Sequence, residues 1–259
     1  MDGENKEDLP EKEQNQIAVT EKLFGQCFET QRIENNSLIP VGGGSIFSDE
    51  ANINVVGDFE NLQDTLQEMH DIVFKYNLPE LKKWLESQGI KIDEKLFATL
   101  FAFQKTLEKR YPIKEEGQPT RELIYTQRGQ KEVKLSDLFA NNTVACSEIA
   151  ALAQYYLQQE GVTSKFFSGD VLWNREHEFS EKHSFIVISQ EDQTYSFDPA
   201  NPTSTTQGVF PSIYVTKPSF NDEIRKGQKR FVPATNILSK KEAFYGVNNG
   251  TNVLEVNIA

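Results

Sequence analysis

Apolar residues recur at three- and four-residue steps between Asp58 and Tyr111, which predicts amphipathic helices. A first helix begins near Asp58. A second is expected from Pro79 to Gly89, because proline favours the first helical turn. A third begins at Asp93 and ends before Tyr111. We therefore expect a mainly helical N-terminal region over residues 17–112, preceded over residues 1–16 by a disordered acidic tail.

The second half of the chain alternates one long helix with runs rich in β-branched and aromatic residues, which are typical of strands. Residues 146–159 contain no glycine or proline and form a helix face, and Gly161 suits the position just after a helix. Strands are expected at 164–172, 183–189, 194–198, 208–215 and 251–258, with Asn248-Asn249-Gly250 as a hairpin turn before the last. This order predicts an α+β fold.

The composition excludes several classes of protein. The formal net charge is −12 and lysine and arginine are not clustered, which argues against binding to nucleic acid or to anionic membranes. Two cysteines and three histidines, with no CxxC motif, give little support for a metal site, and nothing indicates a cofactor. The acidic N-terminus lacks the apolar core of a Sec signal peptide, so we expect a cytoplasmic protein or one exported by another route.

Cys146 stands where the helix over 146–159 is expected to begin, with Thr143 as its predicted N-cap. Free backbone N–H groups at a helix N-terminus favour a thiolate over a thiol, and they can also donate hydrogen bonds to an oxyanion. Taken alone, Cys146 is more simply explained as a small buried side chain, because free cysteine is often buried.

Two further residues change that interpretation. His183 stands near the start of one strand of a predicted hairpin and Asp198 at the end of the other, so the two side chains are expected to lie side by side. Cys146, His183 and Asp198 would then form a nucleophile, a base and a residue that orients the base. His177 is a weaker candidate for the base because it lies in a charged loop between Glu176 and Glu178.

These residues resemble the transglutaminase-like superfamily of cysteine enzymes, which has a papain-like fold. The resemblance covers about residues 135–202 and is carried by Val144-Ala145-Cys146-Ser147-Glu148, Phe167-Ser168-Gly169, His183-Ser184-Phe185 and Phe197-Asp198-Pro199-Ala200-Asn201-Pro202. It implies a catalytic domain over 113–259 whose cysteine-bearing helix packs on an antiparallel sheet. It also implies that the Cys146 thiolate attacks a protein or peptide amide through a thioester.

The resemblance leaves the reaction open among protease, glutamine deamidase and transglutaminase, and a bacterial effector that modifies host protein is one role considered. A non-catalytic interaction scaffold is the main alternative. An arylamine N-acetyltransferase is less favoured because its cysteine usually follows Arg-Gly-Gly, whereas Cys146 follows Thr-Val-Ala. Papain-like enzymes add a side-chain donor to the oxyanion hole, and Gln127, Asn141 and Asn142 are equal candidates here. The oligomeric state and the role of residues 17–112 stay open.

Overall fold

The computed structural model describes residues 32–39, 54–112, 132–190, 193–216, 224–226 and 229–246. Within them the helices are α1 (Gln63–Lys75), α2 (Leu78–Ser87), α3 (Glu94–Arg110), α4 (Leu135–Ala140) and α5 (Cys146–Gln159). The strands are β1 (Ser37–Leu38), β2 (Asn54–Gly57), β3 (Glu132–Lys134), β4 (Ser164–Leu172), β5 (Glu181–Gln190), β6 (Gln193–Thr205), β7 (Gly208–Thr216), β8 (Ile224–Lys226), β9 (Lys229–Asn236) and β10 (Glu242–Gly246). The predicted α+β class is confirmed. The acidic tail over 1–16 and the strand expected at 251–258 lie outside the described residues.

The N-terminal helices begin where local capping signals stand. The Asp93 side chain accepts a hydrogen bond of 2.8 Å from the Leu96 backbone N–H, so α3 begins one residue later. Pro79 lies in the first turn of α2, behind the N-cap Asn77. The stripe predicted from Asp58 begins as a 3-10 turn, Phe59–Leu62, and continues as α1.

Six of the described strands close into an antiparallel barrel in the order β4, β5, β6, β7, β9 and β10. Closure comes from β10, which pairs with β9 along one edge and with β4 along the other. The barrel differs from the papain-like sheet expected from the resemblance. It uses strands far apart in the chain and thereby leaves none of these six strands with an open edge.

Alternate side chains of β5 and β6 belong to two different apolar clusters, because neighbouring residues of a strand point to opposite faces. Ile186, Ile188 and Phe197 belong to the larger core, which α5 and the N-terminal helices share. Phe185 and Val187 point the other way, into a second cluster with residues of β4, β7, β9 and β10. This second cluster fills the barrel, and α5 packs against the outside of β4, β5 and β6.

Among the described residues, no helix is both long enough and apolar enough to cross a membrane.

Candidate active site

Cys146 is the first residue of α5, as the sequence predicted, but the predicted cap is wrong. The N-cap is Ala145, and its backbone N–H donates to Glu148 Oε2 over 2.8 Å. Thr143 lies deeper, where its hydroxyl donates to the Leu138 carbonyl over 3.2 Å. This bond from Ala145 to Glu148 ties the N-cap to the first turn, and the half-buried Cys146, which is not in a disulfide, stands at the start of the helix.

His183 and Asp198 meet as the hairpin predicted. His183 Nε2 lies 2.9 Å from Asp198 Oδ1, and both side chains are buried. The strand register pairs Ile186 with Phe197. His183 and Asp198 are therefore diagonal neighbours on the interior face of the barrel rather than directly opposite, and a long side chain reaches that far.

Asp198 does not end its strand, which corrects the strand predicted over 194–198. β6 continues to Thr205, with an irregularity in its pairing to β7 between Asp198 and Thr203. Such a bulge bends a strand and redirects its side chains. The backbone N–H groups of Ala200 and Asn201 both donate to Asp198 Oδ1 over 3.2 Å, so the bulge supplies donors that hold the buried carboxylate.

The side chains of Cys146 and His183 are brought together as well. Burial lowers the pKa of His183, but the charge and hydrogen bond of Asp198, followed by hydrogen bonding and charge from Cys146, outweigh burial and raise this pKa to about 10. Because Nε2 of His183 faces Asp198, Nδ1 is the ring nitrogen available to the sulfur of Cys146. The imidazole thus lies between the Asp198 carboxylate and the Cys146 side chain.

Two residues that sequence reasoning missed also lie next to His183. Asn201 Nδ2 donates to Asp198 Oδ2 over 3.1 Å and lies 3.4 Å from His183 Nε2. Trp173 sets its ring edgewise to His183 with centroids 5.1 Å apart, and its indole N–H donates to Glu181 over 2.7 Å. Asn201 follows Asp198 by three residues, a spacing that suits a side-chain bond back to the carboxylate. Trp173 carried no such local signal.

The three candidate side-chain donors to the oxyanion hole differ in their positions and hydrogen bonds. Gln127 lies outside the described residues. Asn141 Nδ2 donates to the Asp137 carbonyl over 2.7 Å at the end of α4, so its amide is already used. Asn142 adopts a left-handed backbone with φ of 54°, and its buried Oδ1 has no hydrogen-bond partner in the described part of the chain.

The other histidines lie apart from this site. His177 is exposed, and its backbone N–H donates to Asn174 Oδ1 over 2.9 Å within the loop before β5. His70 Nδ1 lies 2.9 Å from Glu160 at the far end of α5. The described residues contain no group of three or more His, Cys, Asp or Glu side chains that could hold a metal ion.

No model of a known protein family matches this chain, and no curated protein is significantly similar to it in sequence. The interpretation of the site therefore depends on its own geometry.

Proposed function

We propose that the protein is a cysteine acyl-transfer enzyme that attacks a protein or peptide amide through a thioester on Cys146. One observation carries the proposal: a buried imidazole, His183, is held between the Asp198 carboxylate and the thiol at the start of α5. A buried histidine with a raised pKa keeps its proton near neutral pH and can stabilise a thiolate beside it. A histidine with only a packing role would not need both a carboxylate and a thiol beside its ring.

The chemical steps follow from the positions of these groups. The Cys146 sulfur forms a bond to the amide carbonyl carbon, and negative charge moves to the carbonyl oxygen. Backbone N–H groups in the first turn of α5 are placed to donate to that oxygen. The oxyanion then collapses and the C–N bond breaks. The proton on His183 passes to the departing nitrogen, which leaves as an amine or as ammonia.

The second half regenerates the enzyme. Water or a second amine attacks the thioester carbon, and neutral His183 takes its proton. The C–S bond breaks and the thiolate of Cys146 re-forms beside the imidazolium. With water the product is a carboxylic acid, as in a protease or a deamidase. With an amine the product is a new amide, as in a transglutaminase.

The resemblance to transglutaminase-like enzymes supports this proposal through the order of residues: a cysteine that begins a helix, then a histidine and an aspartate on paired strands. We propose that the barrel with α5 on its outer side serves as the catalytic core of such an enzyme. We also propose that the protein acts as a bacterial effector.

The test is the pH dependence of alkylation of Cys146 by iodoacetamide in the wild type, in His183→Ala and in the matched control His177→Ala. An ordinary thiol, with a pKa of about 8.5, is less than about 1% ionised at pH 6. We expect rapid alkylation of the wild type and of His177→Ala at pH 6. His183→Ala should react at least about tenfold more slowly, because no imidazolium then stabilises the thiolate.

Peptide mass spectrometry would assign the alkylation to Cys146 and separate it from Cys27. Identical, unshifted profiles in all three proteins would contradict the proposal. The chain would then be better described as an interaction scaffold that keeps the residues of the site without their chemistry.

A further inference from the structure

A cavity of about 270 Å³ lies next to the candidate active site. Its wall includes Val144, two residues before Cys146, and Ile149, one helical turn after it. The wall also includes Pro199, the residue that follows Asp198. Because the cavity wall includes chain neighbours of two candidate catalytic residues, the side chain of a residue next to an amide placed at Cys146 would lie within reach of the cavity.

The lining of this cavity is mainly apolar, with two polar exceptions contributed by α3, Gln104 and Glu108. Gln104 is only 3% exposed, and its buried Oε1 has no hydrogen-bond partner within the described residues. A buried amide oxygen without a partner destabilises the folded chain unless another molecule supplies the bond. Glu108 stands in a more exposed position, where it pairs with Lys105 over 3.0 Å.

We infer that this cavity binds the side chain of the substrate residue next to the reacting amide, and that it selects a large apolar side chain ending in a neutral hydrogen-bonding group. Tyrosine fits best, since its ring matches the apolar wall and its hydroxyl can donate to or accept from the amide of Gln104. A purely apolar side chain would leave that amide unpaired. A carboxylate would meet the negative charge of Glu108. The inference rests on the proposed function and specifies its substrate.

The test uses reagents in which the thiolate displaces chloride from carbon to form a thioether, so that a C–S bond forms, a C–Cl bond breaks and chloride leaves. Chloroacetamide reports the reactivity of Cys146 alone. Its N-phenethyl, N-(4-hydroxyphenethyl) and N-(4-carboxyphenethyl) derivatives add the groups to be compared. Each second-order rate constant is divided by the rate with N-acetylcysteine, which removes differences in intrinsic reactivity.

We expect the hydroxyphenethyl reagent to react about three- to tenfold faster than the phenethyl reagent, the effect of one buried hydrogen bond. The carboxyphenethyl reagent should be the slowest of the three. Gln104→Leu should remove the advantage of the hydroxyl and leave the chloroacetamide rate unchanged. This variant should fold, because it replaces an unpaired buried amide with an apolar group of similar size. Val209→Phe, at the cavity wall, should slow all three phenethyl reagents.

Equal normalised rates for chloroacetamide and the phenethyl reagents would overturn the inference, and so would an advantage of the hydroxyl that persists in Gln104→Leu. In either case rapid reaction of chloroacetamide at pH 6 would leave the proposed function standing. Slow, unshifted reaction of chloroacetamide would instead refute the proposed function, and the substrate assignment with it.

Discussion

Replacing Asp198 by asparagine removes the carboxylate that faces the buried imidazole of His183 and changes little in shape. In the wild type this carboxylate and the Cys146 side chain raise the pKa of His183 to about 10 from an ordinary value of 6.5, against the opposing effect of burial. An opposite charge at contact distance is worth about one to three pKa units. We therefore expect the pKa of His183 to fall by about two units or more in Asp198→Asn.

The same shift makes a prediction about stability. A histidine whose pKa is higher in the folded state stabilises the fold fully below pH 6.5 and loses that contribution as the pH rises through about 10. By pH 9.5 the loss from this imidazole would be roughly 4 kcal/mol, at about 1.4 kcal/mol for each pKa unit. Asp198→Asn should lose distinctly less between pH 6 and pH 9.5.

Two measurements check this prediction. NMR titration of labelled histidines is practicable because the chain has only three. Urea denaturation at pH 6 and pH 9.5 supplies the free energies of unfolding. Asp170→Asn is the matched control, because Asp170 is also a buried carboxylate, on the neighbouring strand β4, and is not among the groups that shift His183. A wild-type His183 that titrates near pH 6.5, or equal shifts in both variants, would refute the reasoning.

Two further variants test the supports of the site. Glu148→Ala should lower the free energy of unfolding by about 1–2 kcal/mol, because the buried cap on the Ala145 N–H is lost. Glu148→Gln should cost less, and Glu86→Ala, at an exposed position on α2, should stay within about 0.5 kcal/mol in the same urea titrations. Asn201→Ala should slow alkylation of Cys146 at pH 7 several-fold while stability changes by less than about 1 kcal/mol, because Asn201 itself is exposed and the Asp198 carboxylate keeps the backbone N–H donors of Ala200 and Asn201. Unchanged alkylation in Asn201→Ala would remove this residue from the site.

Features that depend on neighbouring residues could be predicted from the sequence. The side chain of Asp93 begins α3 because it reaches a backbone N–H three residues away. Gly161 follows α5 with φ of 70°, a conformation that costs glycine little. Gln190 of β5 pairs with Gln193 of β6, and strand alternation then places His183 and Asp198 on one face.

Other features were decided by contacts between distant parts of the chain. The barrel closes because β10 pairs with β4, as in Phe244 with Leu172, and no local pattern specifies which strands become neighbours. Thr143 was the better cap by residue type, but its hydroxyl bonds the Leu138 carbonyl, and the N-cap is Ala145, whose N–H donates to Glu148. The edge of Trp173 on His183 likewise depends on how β4 and β5 align.

The sequence by itself therefore determined which residue types stand at the start of α5 and on the hairpin, because helix caps, turns and strand alternation are short-range effects. Only the tertiary structure decided that Cys146 reaches His183, and that a cavity lined by Gln104 opens beside them. Both depend on how α3 and α5 pack on the barrel, and that packing is set by the shape and volume of the shared core rather than by any single segment.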